Sequence, residues 1–95
     1  MIIHWKELAL EDYSDCITYL EEYFSFQQVL EFTHKINQTI AFIESNPLSF
    51  PNTEYKNVKQ IIVIPQVTIF YTPGKKTIKI LRVWNNKQNK NNINL

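Results

Sequence analysis

A single cysteine in 95 residues, Cys16, excludes an internal disulfide framework, and it fits a reducing compartment in which a lone thiol acts as a small hydrophobe. No window approaches the roughly 18 apolar residues of a membrane span, and the opening MIIHWKEL lacks the charged-then-apolar layout of a secretory leader. A soluble, cytoplasmic protein with no membrane partner is expected. Charge of one sign is scarce as well. Ten Lys and Arg against nine Asp and Glu leave a net +1, so no strong long-range attraction to nucleic acid or membrane follows, and any such contact must come from a local arrangement. The two histidines, His4 and His34, are far apart in sequence with no Cys or carboxylate at metal-ligand spacing, so neither a metal nor another cofactor is expected. The carboxylate pairs Glu11-Asp12 and Glu21-Glu22 are neighbours in sequence and diverge around a helix, which makes them solvated faces and not acid–base pairs. There is no internal repeat.

What is present suits one globular domain. Hydrophobic residues make up 44% and aromatics 14%, enough for a modest core and too much for a disordered chain. Ile2 to Trp5 is a short β-prone run that needs a later strand as partner. Ala9, Tyr13, Cys16, Ile17, Leu20 and Phe24 then recur at three-and-four spacing, which predicts a helix from about Glu7 to Tyr23 with its acids on the other face. Ser25 and Gln28 form a capping box, with Phe24 and Val29 placed for a hydrophobic staple. Val29, Phe32, Ile36, Ile40 and Ile43 stripe a second helix that must stop near Ser45, because Pro47 disfavours helix at Asn46.

Asn46 to Lys56 has the composition of a connecting loop. Three β-prone runs follow, Val58 to Ile64, Val67 to Tyr71 and Thr77 to Trp84, joined by turns short enough to require antiparallel neighbours. The order predicts an α+β fold, β-α-α-β-β-β, with a helical hairpin on one face of a small curved, mostly antiparallel sheet. The place of the first strand in that sheet is left open. Residues 1–86 form the domain and 87–95 a polar, frayed tail.

The last strand carries the most suggestive surface. At period two, Ile78, Ile80, Arg82 and Trp84 share one side and Leu81 and Val83 the other. Aliphatic side chains thus give way to Arg82, Trp84, Asn86, Lys87 and Gln88, which are expected to be presented outward; the alternatives are an ion pair or a cation–π contact with Trp84 for Arg82, and a place in the core or at a protein interface for Trp84.

With these residues in view the chain resembles the RelE/ParE superfamily of toxins from type II toxin–antitoxin systems. The resemblance rests on Trp5 ending the first strand, Ala9, Asp12 and Tyr13 with Ile17 and Tyr19-Leu20, Asn46-Pro47, Phe70-Tyr71, and above all Ile80 to Asn89. It covers nearly the whole chain. It implies a bacterial, growth-inhibiting toxin of an addiction or plasmid-stabilisation module, neutralised by a cognate antitoxin. Some members cut messenger RNA on the ribosome and others poison a type II topoisomerase such as DNA gyrase. A homodimer and a toxin–antitoxin hetero-oligomer are both compatible with it.

Metal-independent RNA cleavage needs a base for the ribose 2′-hydroxyl, a cation for the phosphate and a proton donor for the leaving oxygen. The resemblance implies an arginine on the middle strand and basic residues with a Tyr or His near the end of the last strand. Here Thr68 occupies the middle-strand position and neither His nor Tyr follows Trp84. Arg82, Lys87 and Lys59 remain as weak catalytic candidates, without a base. Arg82, Trp84, Asn86, Lys87 and Gln88 are the candidates for target or antitoxin binding. The expectation is therefore a ParE-like toxin that binds its target. A ribosome-dependent endoribonuclease with an atypical site and a non-toxic interaction module are the alternatives.

Overall fold

The computed structural model covers Met1–Leu95. Its elements run β1 (Ile2–Trp5), α1 (Glu7–Tyr23), α2 (Phe26–Ser45), β2 (Lys59–Ile64), β3 (Val67–Pro73) and β4 (Thr77–Asn85), followed by a short 3-10 turn at Lys90–Asn92. The expected α+β order is what forms. The break between the helices is fixed by the capping box: the Ser25 hydroxyl accepts the Gln28 N–H at 3.3 Å and the Gln28 side chain accepts the Ser25 N–H at 3.3 Å. Two orphan donors at the start of α2 are thereby satisfied. Phe24 does not sink into the hairpin. It stays half exposed with its ring against Tyr19.

The sheet order is β1-β4-β3-β2. β3 pairs antiparallel with both β2 and β4, and β1 adds to the free edge of β4 in parallel. The core lies between the hairpin and one sheet face, built from Ala9, Phe32, Ile36, Ile43, Val67, Ile69, Tyr71, Ile78, Ile80 and Val83. Ala9 is fully buried, which lets α1 sit close over the sheet. No helix is long and apolar enough to cross a membrane.

One irregularity changes the reading of β4. Phe70 pairs with Arg82 but Tyr71 pairs with Ile80, so Leu81 is an extra residue without a cross-strand partner. A bulge of this kind reverses which residues share a face. Strict alternation put Ile78, Ile80, Arg82 and Trp84 together. Instead Val83 joins Ile78 and Ile80 in the main core, while Trp84 packs with Val58 and Phe70 in a second cluster against Leu81 and Ile93. The polar tail is not frayed either. Ile93 plugs into that second cluster, and the Asn89 side chain caps the 3-10 turn by accepting the Asn91 N–H at 2.9 Å.

Tyr71 fastens the loop after α2. It is fully buried, and its hydroxyl donates to the Pro47 carbonyl at 2.7 Å. Burial pushes its pKa up to about 12, and burial followed by the charges of Asp12 and Asp15 pushes the Cys16 thiol up to about 11. Both groups are neutral when folded and ionise more readily when unfolded. Their contribution is therefore complete below about pH 9, and is lost as pH rises through 11 and 12. Urea unfolding at pH 8 and pH 11 should show a fall in stability on the order of 2–3 kcal/mol, less than the full shifts imply because Cys16 is partly exposed and screened by solvent. Tyr71→Phe should cost about 1 kcal/mol at pH 8 and shrink the alkaline loss.

Candidate functional site

β1 ends opposite Ile80, so β4 has no neighbouring strand on that side beyond this residue. Asp12, from the second turn of α1, takes over. Its Oδ2 accepts the Val83 N–H at 3.0 Å, and its two oxygens accept Arg82 Nε at 2.7 Å and Nη2 at 2.8 Å. Arg82 Nη1 donates to the Asn94 carbonyl at 3.0 Å, and its guanidinium carbon sits 5.0 Å from the centre of the Trp84 ring. The pair is largely enclosed, with side chains 12% and 17% exposed. Hydrogen bonding to Asp12 raises the Arg82 pKa. Burial opposes that shift, and the charges of Asp12 and Glu11 reinforce it.

The outward presentation expected of Arg82 and Trp84 is thus corrected. The guanidinium is held by a bidentate carboxylate and a carbonyl, and Trp84 is 3% exposed with its indole N–H buried and without an acceptor. Asn86 is also occupied structurally. Its Oδ1 accepts from the Thr68 hydroxyl at 3.0 Å, its Nδ2 donates to the Pro65 carbonyl at 3.0 Å and its N–H donates to the Gln66 carbonyl at 2.8 Å. Lys59 binds the Phe50 carbonyl at 3.0 Å and Asn52 Oδ1 at 2.8 Å, tying down the long loop. It starts β2 opposite Tyr71, whereas Lys87 lies beyond the far end of β3. The three weak catalytic candidates are therefore not brought together. Only Lys87 and Gln88 remain exposed, as expected of them.

Those two line a cleft of about 740 Å³ between the hairpin and the C-terminal end of β4. Its inner wall is apolar, from Cys16, Leu20, Phe32, Val67, Val83 and Trp84. Asp12, Asp15, Glu31, His34, Lys35 and Lys87 supply charged and polar groups around it. No three His, Cys, Asp or Glu side chains converge anywhere on a point that could hold a metal. The partner of Asp12 is what sequence reading missed. Asp12 contacts Arg82 across 70 positions, and no local spacing signals such a pairing.

Charge is also sorted in a way that the net value hides. Residues 1–54 hold all nine acids and two lysines, a net −7, while residues 55–95 hold eight cations and no acid, a net +8. The helical hairpin is the acidic part and the strands with their turns the basic part.

A helical hairpin on a β1-β4-β3-β2 sheet, with the last strand running out beside a cleft, is the architecture of RelE/ParE-like toxins. The profile of the ParE toxins of type II toxin–antitoxin systems matches residues 3–90, and the chain belongs to that family. A chromosomal ParDE toxin–antitoxin system from P. aeruginosa contains a chain similar to this one at TM-score 0.76 and 16% identity, over 90% of this chain and 95% of the other. The YoeB dimer of Staphylococcus aureus is similar at TM-score 0.63 and 18% identity, over 87% and 93%. The DinJ-YafQ complex of E. coli is similar at TM-score 0.60 and 13% identity, over 90% and 92%. At these identities the structures share the fold. No curated protein matches the sequence.

Proposed function

We propose that this chain is a growth-inhibiting toxin of the bacterial cytoplasm that docks on a type II topoisomerase of the DNA gyrase class and does not cut RNA. A cognate antitoxin, seated in the cleft, holds it inactive. The observation that carries the reading is the commitment of Arg82 to Asp12, with Thr68 buried on the middle strand. The cation that would hold a scissile phosphate already has a carboxylate on its Nε and Nη2, and the middle-strand position supplies no second cation. With neither His nor Tyr after Trp84, the base, cation and proton donor that the family resemblance implies at the end of the last strand are not assembled there.

The antitoxin part rests on the cleft. Its apolar wall suits an amphipathic helix or extended segment that folds on contact, and Trp84, Lys87 and Gln88 are the candidates of the last strand that such a segment would meet. Induction in cells is expected to arrest growth, relieved by co-expressing a cognate antitoxin, and the purified chain is expected to inhibit supercoiling by gyrase. Mapping of RNA 5′ ends in the same cells should show no new cuts. Translation-dependent cuts inside messages would overturn the reading in favour of an endoribonuclease.

A further inference from the structure

The turn between α1 and α2 carries an apolar surface that the fold leaves uncovered. Tyr23 is 68% and Phe26 74% exposed, and Tyr19 and Phe24 are each about half exposed. The Tyr19 ring centre lies 5.0 Å from that of Tyr23 and 5.7 Å from that of Phe24. Leu30, also about half exposed, follows Phe26 by one helical turn on the same face of α2. Folding does not require these side chains there. Ser25 and Gln28 already fix the start of α2, and the first helical position held by Phe26 makes no demand for an aromatic ring. A monomer seldom keeps grouped aromatics in water without a use for them, and Tyr and Phe are among the residues enriched at the centres of protein contacts.

Charge narrows the class of partner. Glu21 and Glu22 are exposed beside the aromatic group, and no Lys or Arg lies between Lys6 and Lys35. An acidic frame of this kind repels a phosphate backbone and an anionic lipid surface, so these rings are neither a platform for stacking bases nor a membrane wedge. It attracts a surface that is apolar at its centre and basic around it. We propose that the tip of the helical hairpin is where the toxin docks on its target, a protein surface of that basic and apolar kind. The inference rests on the target-binding reading above and adds the contact surface. It also gives neutralisation a physical basis. Tyr19 and Phe24 line the cleft as well as the tip, whereas Tyr23 and Phe26 do not line the cleft. An antitoxin in the cleft covers two of the four rings, and target and antitoxin compete.

The test compares the wild-type chain with Tyr23→Ser/Phe26→Ser and with Glu21→Lys/Glu22→Lys. The readouts are growth arrest, inhibition of gyrase supercoiling, affinity for the antitoxin and thermal melting. Both variants are expected to lose growth arrest and to need at least about tenfold more protein to inhibit supercoiling. Antitoxin affinity is expected to change by less than about threefold, since interface positions outside a contact are near neutral. The lysine variant provides the decision if the serine variant melts early, because cations at the C-terminal end of α1 suit the helix dipole. A folded variant with undiminished toxicity overturns the docking surface and leaves the toxin reading standing. A wild-type chain that arrests no growth overturns both. Loss of antitoxin binding with toxicity intact assigns the tip to the antitoxin, and a salt-sensitive dimer abolished by the substitutions assigns it to a second copy. Either result also overturns the proposal.

Discussion

Asp12→Ala is expected to lower the free energy of unfolding by about 3 kcal/mol, the range seen when one partner of an enclosed ion pair is removed. Three hydrogen bonds end on this carboxylate, two from Arg82 and one from the Val83 N–H. Alanine leaves the guanidinium enclosed with only the Asn94 carbonyl and the Trp84 ring, and leaves a strand N–H with no acceptor at the point where β1 has ended. Asp15, one turn further along α1, is exposed. Asp15→Ala is therefore a matched control, expected to stay within about 0.5 kcal/mol of wild type. Chemical unfolding of both variants measures the difference. Replacing both partners, Asp12→Leu with Arg82→Leu, should recover part of the loss, because no charge is then stranded. A loss below about 1 kcal/mol for Asp12→Ala would show that the pair behaves as a surface contact and that Arg82 is freer to meet a phosphate than its geometry implies.

That pair marks the limit of what the sequence disclosed. The helices were legible because three-and-four spacing, a capping box and a following proline all point the same way, and both helices end where those signals place them. The three later strands were legible from β-branched runs between short turns. Strand parity was not. A bulge inserts Leu81 through the geometry of the β3–β4 pairing, and nothing in TIKILRVWN marks one residue as surplus. Everything beyond it changed sides, so Trp84 went from an expected display position to a buried cluster. Asp12 was read as part of a solvated helical face because a helix pattern shows which face is polar but not what lies opposite. The parallel docking of β1 on β4 was equally hidden, since a four-residue strand carries no signal for its neighbour. The tail misled through composition. Amides and lysines predict solvation, yet Ile93 alone is apolar enough to anchor the segment.

Thr68→Arg is expected to be the most disruptive single change, costing more than about 4 kcal/mol and leaving the chain unfolded or insoluble. This is the position where RNA-cutting relatives are expected to carry a cation, so the substitution asks whether the chain is a nuclease lacking one residue. The surroundings argue against that. Thr68 is 1% exposed, between the buried Val67 and Ile69 on β3, and it faces Trp84 on β4 and Ile62 on β2. Its hydroxyl donates to Asn86, the residue that fastens the end of β4 to the β2–β3 turn. An arginine there must displace Asn86 or Trp84, and it brings a second cation close to the ring already covered by Arg82, with no free carboxylate among these neighbours. Thr68→Val keeps the shape and removes only the hydroxyl, and is expected to cost about 1 kcal/mol. Thermal melting of the two variants, together with a translation-dependent cleavage assay on messenger RNA, checks the pair. A Thr68→Arg chain that melted like wild type and cut messages would mean that the outer sheet face opens to admit RNA, and the reading of this protein as a docking toxin would fail with it. An unfolded Thr68→Arg beside a folded Thr68→Val would place the distance from an RNA-cutting site in the packing around Trp84 and not in one missing side chain.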